Sequence, residues 1–236
     1  MGKQYQITDP ELGIVLIRIN PRAKRFIVRI QPNGHPLVTI PSEIPEKKIK
    51  ECLDSCRLQV KEIQNKITQK KEFNTEYTLH TSFLEFRIAI GTGTRFLLQT
   101  EGNTTTLLCP PSTLFDSSDM QEWIKKIITE LLRKRAKEIL PLRTRQLAEQ
   151  NGLHFNSLKI NTSKGRWGSC STRKDINLSC SLMLLPEHLV DYVILHELCH
   201  TIEMNHSSDF WNLLNRFTYG KAHCLRKELR SFNTFF

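Results

Sequence analysis

The chain has 236 residues, a formal net charge of +10, and 39% hydrophobic against 25% charged residues. That length can bury a core without disulfides or structural metals, and the balance excludes a disordered or low-complexity protein. No stretch approaches the roughly 20 apolar residues a membrane helix needs.

The apolar run at residues 13–17 is broken by Arg18 and followed by Asn20-Pro21, which is too short for a signal-peptide core. The N-terminal residues lack the Ser/Thr of a myristoylation signal. A cytoplasmic protein without a membrane partner is expected. The seven cysteines are odd in number and include no CxxC pair, so buried thiols are expected rather than a disulfide framework or zinc ribbon. The positive charge suits nucleic acid, an anionic surface or acidic substrates. Its lysines and arginines alternate with glutamates at helical spacing across 47–71, 125–145 and 216–230, which equally describes a solvated basic surface.

In chain order, β-like runs at 14–19, 25–30 and 37–40 are punctuated by Asn20-Pro21 and Pro32-Asn33-Gly34 and read as a small antiparallel meander. From Pro45 to about residue 71, Ile49, Leu53, Cys56, Val60, Ile63 and Ile67 recur every three or four residues, the spacing of an amphipathic helix. Strand signals return at 83–90, 95–100 and 105–109. Ser117-Ser118-Asp119 can cap a long helix running to Leu140, or past Pro141 in a second segment to Gln150, with Gly152 at its end. Strands or a hairpin at 155–161, 166–170 and 176–184 precede a helix opened by Pro186. No internal repeat is evident. The pattern is α+β, with a β-rich region at 1–115 containing one long helix and a second domain at 116–236.

Within that last helix, His196 and His200 are four residues apart. On a helix this places two imidazoles on one face about 5–6 Å apart at Cβ, a span from which both reach one zinc ion. Glu197 lies beside them, free to act on water without being a ligand. A catalytic zinc needs a third protein ligand and one open position. Glu203 stays on the same stripe if the helix continues, as a ligand or an orienting partner. His206 reaches the metal if the helix ends near Met204-Asn205 and the chain turns back. His206 is the preferred ligand because three imidazoles complete the site without excess charge. Ser207 or Ser208 then caps a helix burying Phe210, Trp211, Leu214 and Phe217. Oxyanion donors are less defined; Tyr219, His223 and Arg166 are each available.

Two blocks carry a family resemblance: Arg166-Trp167-Gly168-Ser169-Cys170-Ser171 with Ile176-Asn177-Leu178, and the stretch from Asp191 to His200 closed by Asn205-His206-Ser207 and Phe210-Trp211. In these the sequence resembles the YgjP-like metallopeptidases, relatives of the SprT-like zinc proteases. The resemblance implies a zincin-like catalytic half with an HExxH active-site helix, a downstream histidine ligand, Zn2+ as cofactor, and a peptide or protein substrate. It also implies that Arg166, Trp167, Gly168 and Ser169 belong to an edge strand that pairs with extended substrate. Glu203 stands where metzincins need glycine, so that class is not assigned. Two further readings stay open: a nucleic-acid-associated protease acting on DNA-bound protein, and a binding module with purely structural zinc.

Overall fold

A computed structural model of the chain describes residues 4–31, 34–68, 72–163 and 165–232, with side chains at 65–68 excepted. Pro32 and Asn33 of the expected turn, the side chain of Ile67 and the end of the expected first helix at 69–71 lie outside the described residues. The chain divides into two compact units, Met1–Lys71 and Glu72–Phe236. This division precedes the 115/116 boundary read from the sequence, because the strands between those points share one core with the helix that follows them.

The first unit holds β1 (Gln4–Asp9), β2 (Gly13–Ile19), β3 (Ile27–Ile30), β4 (Pro36–Ile40) and α1 (Glu46–Thr68). Its sheet order is β1-β2-β4-β3. The strands β2 and β4 run parallel, with Ile17 opposite Val38, so the expected antiparallel meander is corrected. The physical reason is burial. Val15, Ile17, Val38 and Ile40 form the most apolar pair of runs, and placing them side by side in the centre closes their faces under Ile49, Leu53 and Val60 of α1. Ile63, expected on that stripe, is exposed.

The second unit begins with β5 (Thr78–His80), β6 (Glu85–Ile90), β7 (Leu97–Glu101) and β8 (Thr104–Cys109), in the order β5-β6-β8-β7. Here β6 and β8 are parallel, as β2 and β4 are. The helix that follows, α2 (Ser118–Gln150), is continuous through Pro141 and capped by the Ser117 hydroxyl, which accepts from the Met120 amide. Proline inside a helix costs about 3 kcal/mol. The stripe Ile124, Ile128, Leu132, Ala136, Leu140, Thr144 and Leu147 remains buried across it and offsets that cost. Gly152, at a φ of 65°, supplies the left-handed residue that ends the helix.

Beyond α2 lie β9 (Ser157–Asn161), β10 (Gly168–Cys170) and β11 (Asp175–Ser179), ordered β10-β11-β9. A 3-10 turn at Cys180–Leu184 leads into α3 (Glu187–Cys199), α4 (Ser208–Phe217) and α5 (Ala222–Leu229). Arg143 of α2 donates to both carboxylate oxygens of Asp191, at 2.7 and 2.5 Å, and so ties α3 to the long helix. No helix among the described residues is long and apolar enough to cross a membrane.

Candidate metal centre

The helix α3 is apolar almost all round, and Leu189, Val190, Val193, Ile194 and Leu198 fix it within the core. His196 occupies its last turn and His200 is its C-cap. The helix therefore stops at Cys199, earlier than the end expected near Asn205. Side-chain bonds explain the stop: Thr201 Oγ1 donates to the Leu198 carbonyl at 2.7 Å, and His200 Nδ1 lies 2.9 Å from the Glu203 carbonyl. Residues 201–207 turn without regular structure, and the Ser207 hydroxyl accepts from the Phe210 amide to start α4.

That turn returns His206 to the other two histidines. One nitrogen from each of His196, His200 and His206 falls within a group whose members all lie within 4.8 Å of one another. The Nε2 atoms of His196 and His206 are 3.0 Å apart. Ring centroids are separated by 4.9 Å for His196 and His200, 5.0 Å for His196 and His206, and 4.7 Å for His200 and His206. Glu203 enters through its main chain. Its carbonyl accepts the His200 Nδ1 proton, which leaves His200 Nε2 as the lone-pair nitrogen.

Burial pushes His196 down to about 3, helped by the charges of His200, His206 and Arg226, and burial lowers His206 as well. Both imidazoles are thus neutral, the form that coordinates a metal. His196 Nδ1 is buried without a hydrogen-bond partner. A single shared proton can bridge two imidazoles, but three such rings closing on one point, one with its Nδ1 already engaged, could hold a metal ion.

Sequence reasoning missed what holds the rings in place. Fully buried Phe210 of α4 stacks on His200 at 4.5 Å and meets His196 and His206 edge-on at 4.9 and 4.8 Å. The periodicity of α4 marks Phe210 as apolar but cannot show that its face is the floor of three imidazoles.

The Glu197 side chain packs against β10 at Gly168. A Cβ added to Gly168 would fall 2.7 Å from both Cγ and Oε1 of Glu197 and 2.9 Å from Cδ. Any side chain at 168 would therefore collide with the carboxyl group, so Gly168 clears the space that Glu197 fills. Burial pushes the Glu197 carboxyl up to about 8, partly countered by the charge of Arg166. The strand β10 is the sheet edge, and it carries Gly168 and Ser169, with Trp167 just before it. The Trp167 carbonyl accepts from the Ser179 amide at 2.8 Å. Cys170, also on β10, has its thiol pushed up to about 11 by burial and then by Glu197, so it stays protonated at neutral pH.

A cavity of about 340 Å³ opens on this arrangement, lined by His196, Glu197, His206, Trp167 and Gly168 with residues of α5 opposite. Of the oxyanion candidates, Tyr219 is 91% exposed and lines a different cavity. His223 stacks on Trp211 at 4.7 Å. Arg166 alone acts electrostatically on Glu197.

Three convergent histidines with a buried carboxyl on the adjoining residue define the class of a candidate hydrolytic metal centre. The YgjP-like metallopeptidase domain matches residues 24–232, and the chain belongs to that family. Among solved structures it is similar to the metallopeptidase zymogen of Pyrococcus abyssi abylysin, at 20% identity over 39% of this chain and 93% of that one, with a TM-score of 0.36. No curated protein sequence matches the chain.

Proposed function

We propose that this member of the metallopeptidase family is a zinc-dependent peptidase in which His196, His200 and His206 hold the ion and Glu197 is the general base. Residues 116–236 are its zincin-like catalytic part, with α3 as the HExxH helix. The observation that carries the reading is the closure of three imidazoles on one point beside a buried carboxyl group that a glycine makes room for.

The chemistry supplied by a bound zinc ion is Lewis acidity, which acidifies water and polarises a scissile carbonyl. Glu197 accepts the proton of the attacking water and returns it to the leaving amine, and its burial raises its proton affinity. The Glu203 carbonyl fixes the His200 tautomer and Phe210 fixes the ring planes. Substrate lies extended along the edge strand at Arg166, Trp167, Gly168 and Ser169, where backbone pairing orients the peptide bond without strict side-chain choice. A three-histidine set beside a buried acid favours catalytic over structural zinc, which usually takes four protein ligands.

The test joins metal analysis to digestion of a peptide library. Glu197→Gln is expected to keep about one zinc per chain and to lose at least about a hundredfold in hydrolysis. Retained turnover in that metal-replete variant overturns the reading. His206→Ala should lose the metal, whereas Glu203→Ala, which leaves the accepting carbonyl in place, should keep it.

A further inference from the structure

The cavity has a second wall that the metal chemistry does not use. Arg226 of α5 and Arg230 at its C-cap line the same cavity as Trp167 and Gly168. The two are four residues apart and so on the same stripe, while buried Ala222 and half-buried Leu225 and Leu229 pack the helix down beside that stripe. The Arg226 guanidinium lies 4.9 Å from the ring centre of Trp211, whose ring is in turn 6.0 Å from His206 and 6.5 Å from His196. That stacking holds one positive charge at a defined place beside the metal centre. Among the described residues neither guanidinium pairs with a carboxylate, and the helix's own Glu228 is taken by His188 at 2.8 Å.

Resting on the peptidase reading above, we propose that Arg226 and Arg230 form a carboxylate-recognising subsite, so that the substrates are peptides bearing a carboxylate next to the scissile bond. Guanidinium groups bind carboxylates in a bidentate, directional way that lysine does not reproduce. Trp167, Tyr192, Leu229 and Phe232 line the same cavity and offer apolar surface to the rest of the peptide. The carboxylate has two possible sources, an aspartate or glutamate side chain and the free C-terminus of a short peptide. Nucleic acid is the weaker fit. Its phosphates call for an extended basic stripe, and these two charges sit in a cavity beside the metal histidines.

The experiment uses the zinc-loaded full chain and quenched peptides identical except for Glu, Gln or Lys at one position near the cleavage point, each with either a free or an amidated C-terminus. Binding of the same peptides to zinc-loaded Glu197→Gln, read by tryptophan fluorescence, supplies a measure independent of turnover. A preference of about tenfold or more for Glu over Gln, or for free acid over amide, is expected in kcat/KM and in Kd, and whichever comparison carries it names the source. Arg226→Gln with Arg230→Gln should bring that ratio towards one, and charge reversal to Glu at both positions should turn it in favour of Lys. Equal hydrolysis and equal binding of all wild-type pairs overturns the subsite while leaving the peptidase reading intact. Selective binding without any hydrolysis overturns the peptidase reading and leaves the subsite. A DNA oligonucleotide that binds the chain while the peptides show no selectivity assigns the charges to nucleic acid and overturns the proposal.

Discussion

The two four-stranded sheets of this chain share one plan and end differently. In each, an antiparallel pair is followed by a parallel pairing of the second strand with the fourth, the third strand takes the far edge, and a helix comes next. In each, a side-chain oxygen closes the first turn: Asp9 Oδ1 accepts from the amides of Glu11 and Leu12, and Thr81 Oγ1 from those of Phe83 and Leu84. A helix arginine braces that turn both times, Arg57 reaching Asp9 and Arg135 donating to the Phe83 carbonyl. The difference lies in what the helix serves. The core of α1 closes on its own sheet, whereas α2 continues past Pro141 and shares one core with β9, β11, the 3-10 turn and α3. The same small motif is a self-contained unit in one place and the scaffold of the candidate metal centre in the other.

The largest effect that sharpens this contrast comes from matched core truncations. Leu53→Ala in α1 and Leu132→Ala in α2 each remove a side chain at most 2% exposed, and each should cost about 2–5 kcal/mol. Only Leu132→Ala should also weaken zinc binding, because its helix supports α3. Denaturation monitored together with zinc affinity checks this, and equal zinc affinity in the two variants would break the distinction.

The next effect separates two kinds of glycine. Gly13, at a φ of 72°, turns the chain in the first sheet with open space where a Cβ would stand, while Gly168 makes way for Glu197. Gly13→Ala should lower stability by about 1 kcal/mol through backbone strain alone. Gly168→Ala should retain zinc and lose roughly a hundredfold in kcat, the usual consequence of misplacing a reacting group by about 1 Å. Steady-state kinetics beside metal analysis measures both. Unchanged kcat in Gly168→Ala would show that Glu197 does not need that space.

These contrasts also mark what the sequence could disclose. The spacing of His196, Glu197 and His200 was readable because it is local to one helix, as were Ser117, Gly152 and the Ile49, Leu53 and Val60 part of the α1 stripe. The three-histidine cluster was anticipated with the wrong helix end, since the bonds that stop α3 involve Thr201 and the Glu203 carbonyl, neither of which has a periodic signature. The parallel pairings of β2 with β4 and β6 with β8 were invisible because strand order depends on which faces bury each other at a distance. The repeat escaped for a similar reason: Asp9 and Thr81 do the same job with different side chains. The reach of Arg226 and Arg230 into the cavity needed α5 to be folded against α3 before it could be seen.

The smallest effect concerns that pair of braced turns. The Asp9 carboxyl is 2% exposed and is held well below the usual carboxylate range, first by Arg57 and also by the Glu11 and Leu12 amides. A group whose folded pKa is depressed contributes stability above its unfolded value of about 3.9 and loses it as pH falls below that point. The second turn uses a threonine hydroxyl and a backbone carbonyl, which do not titrate. Lowering the pH from 5 to 3 should therefore loosen residues 4–40 before residues 78–109, as read by amide hydrogen exchange. Asp9→Asn should cost about 1–3 kcal/mol at neutral pH and flatten the acid response of the first sheet. If both sheets loosen together in the wild type, the Arg57 and Asp9 pair does not set the acid stability of its unit, and the two braces are equivalent in energy as well as in place.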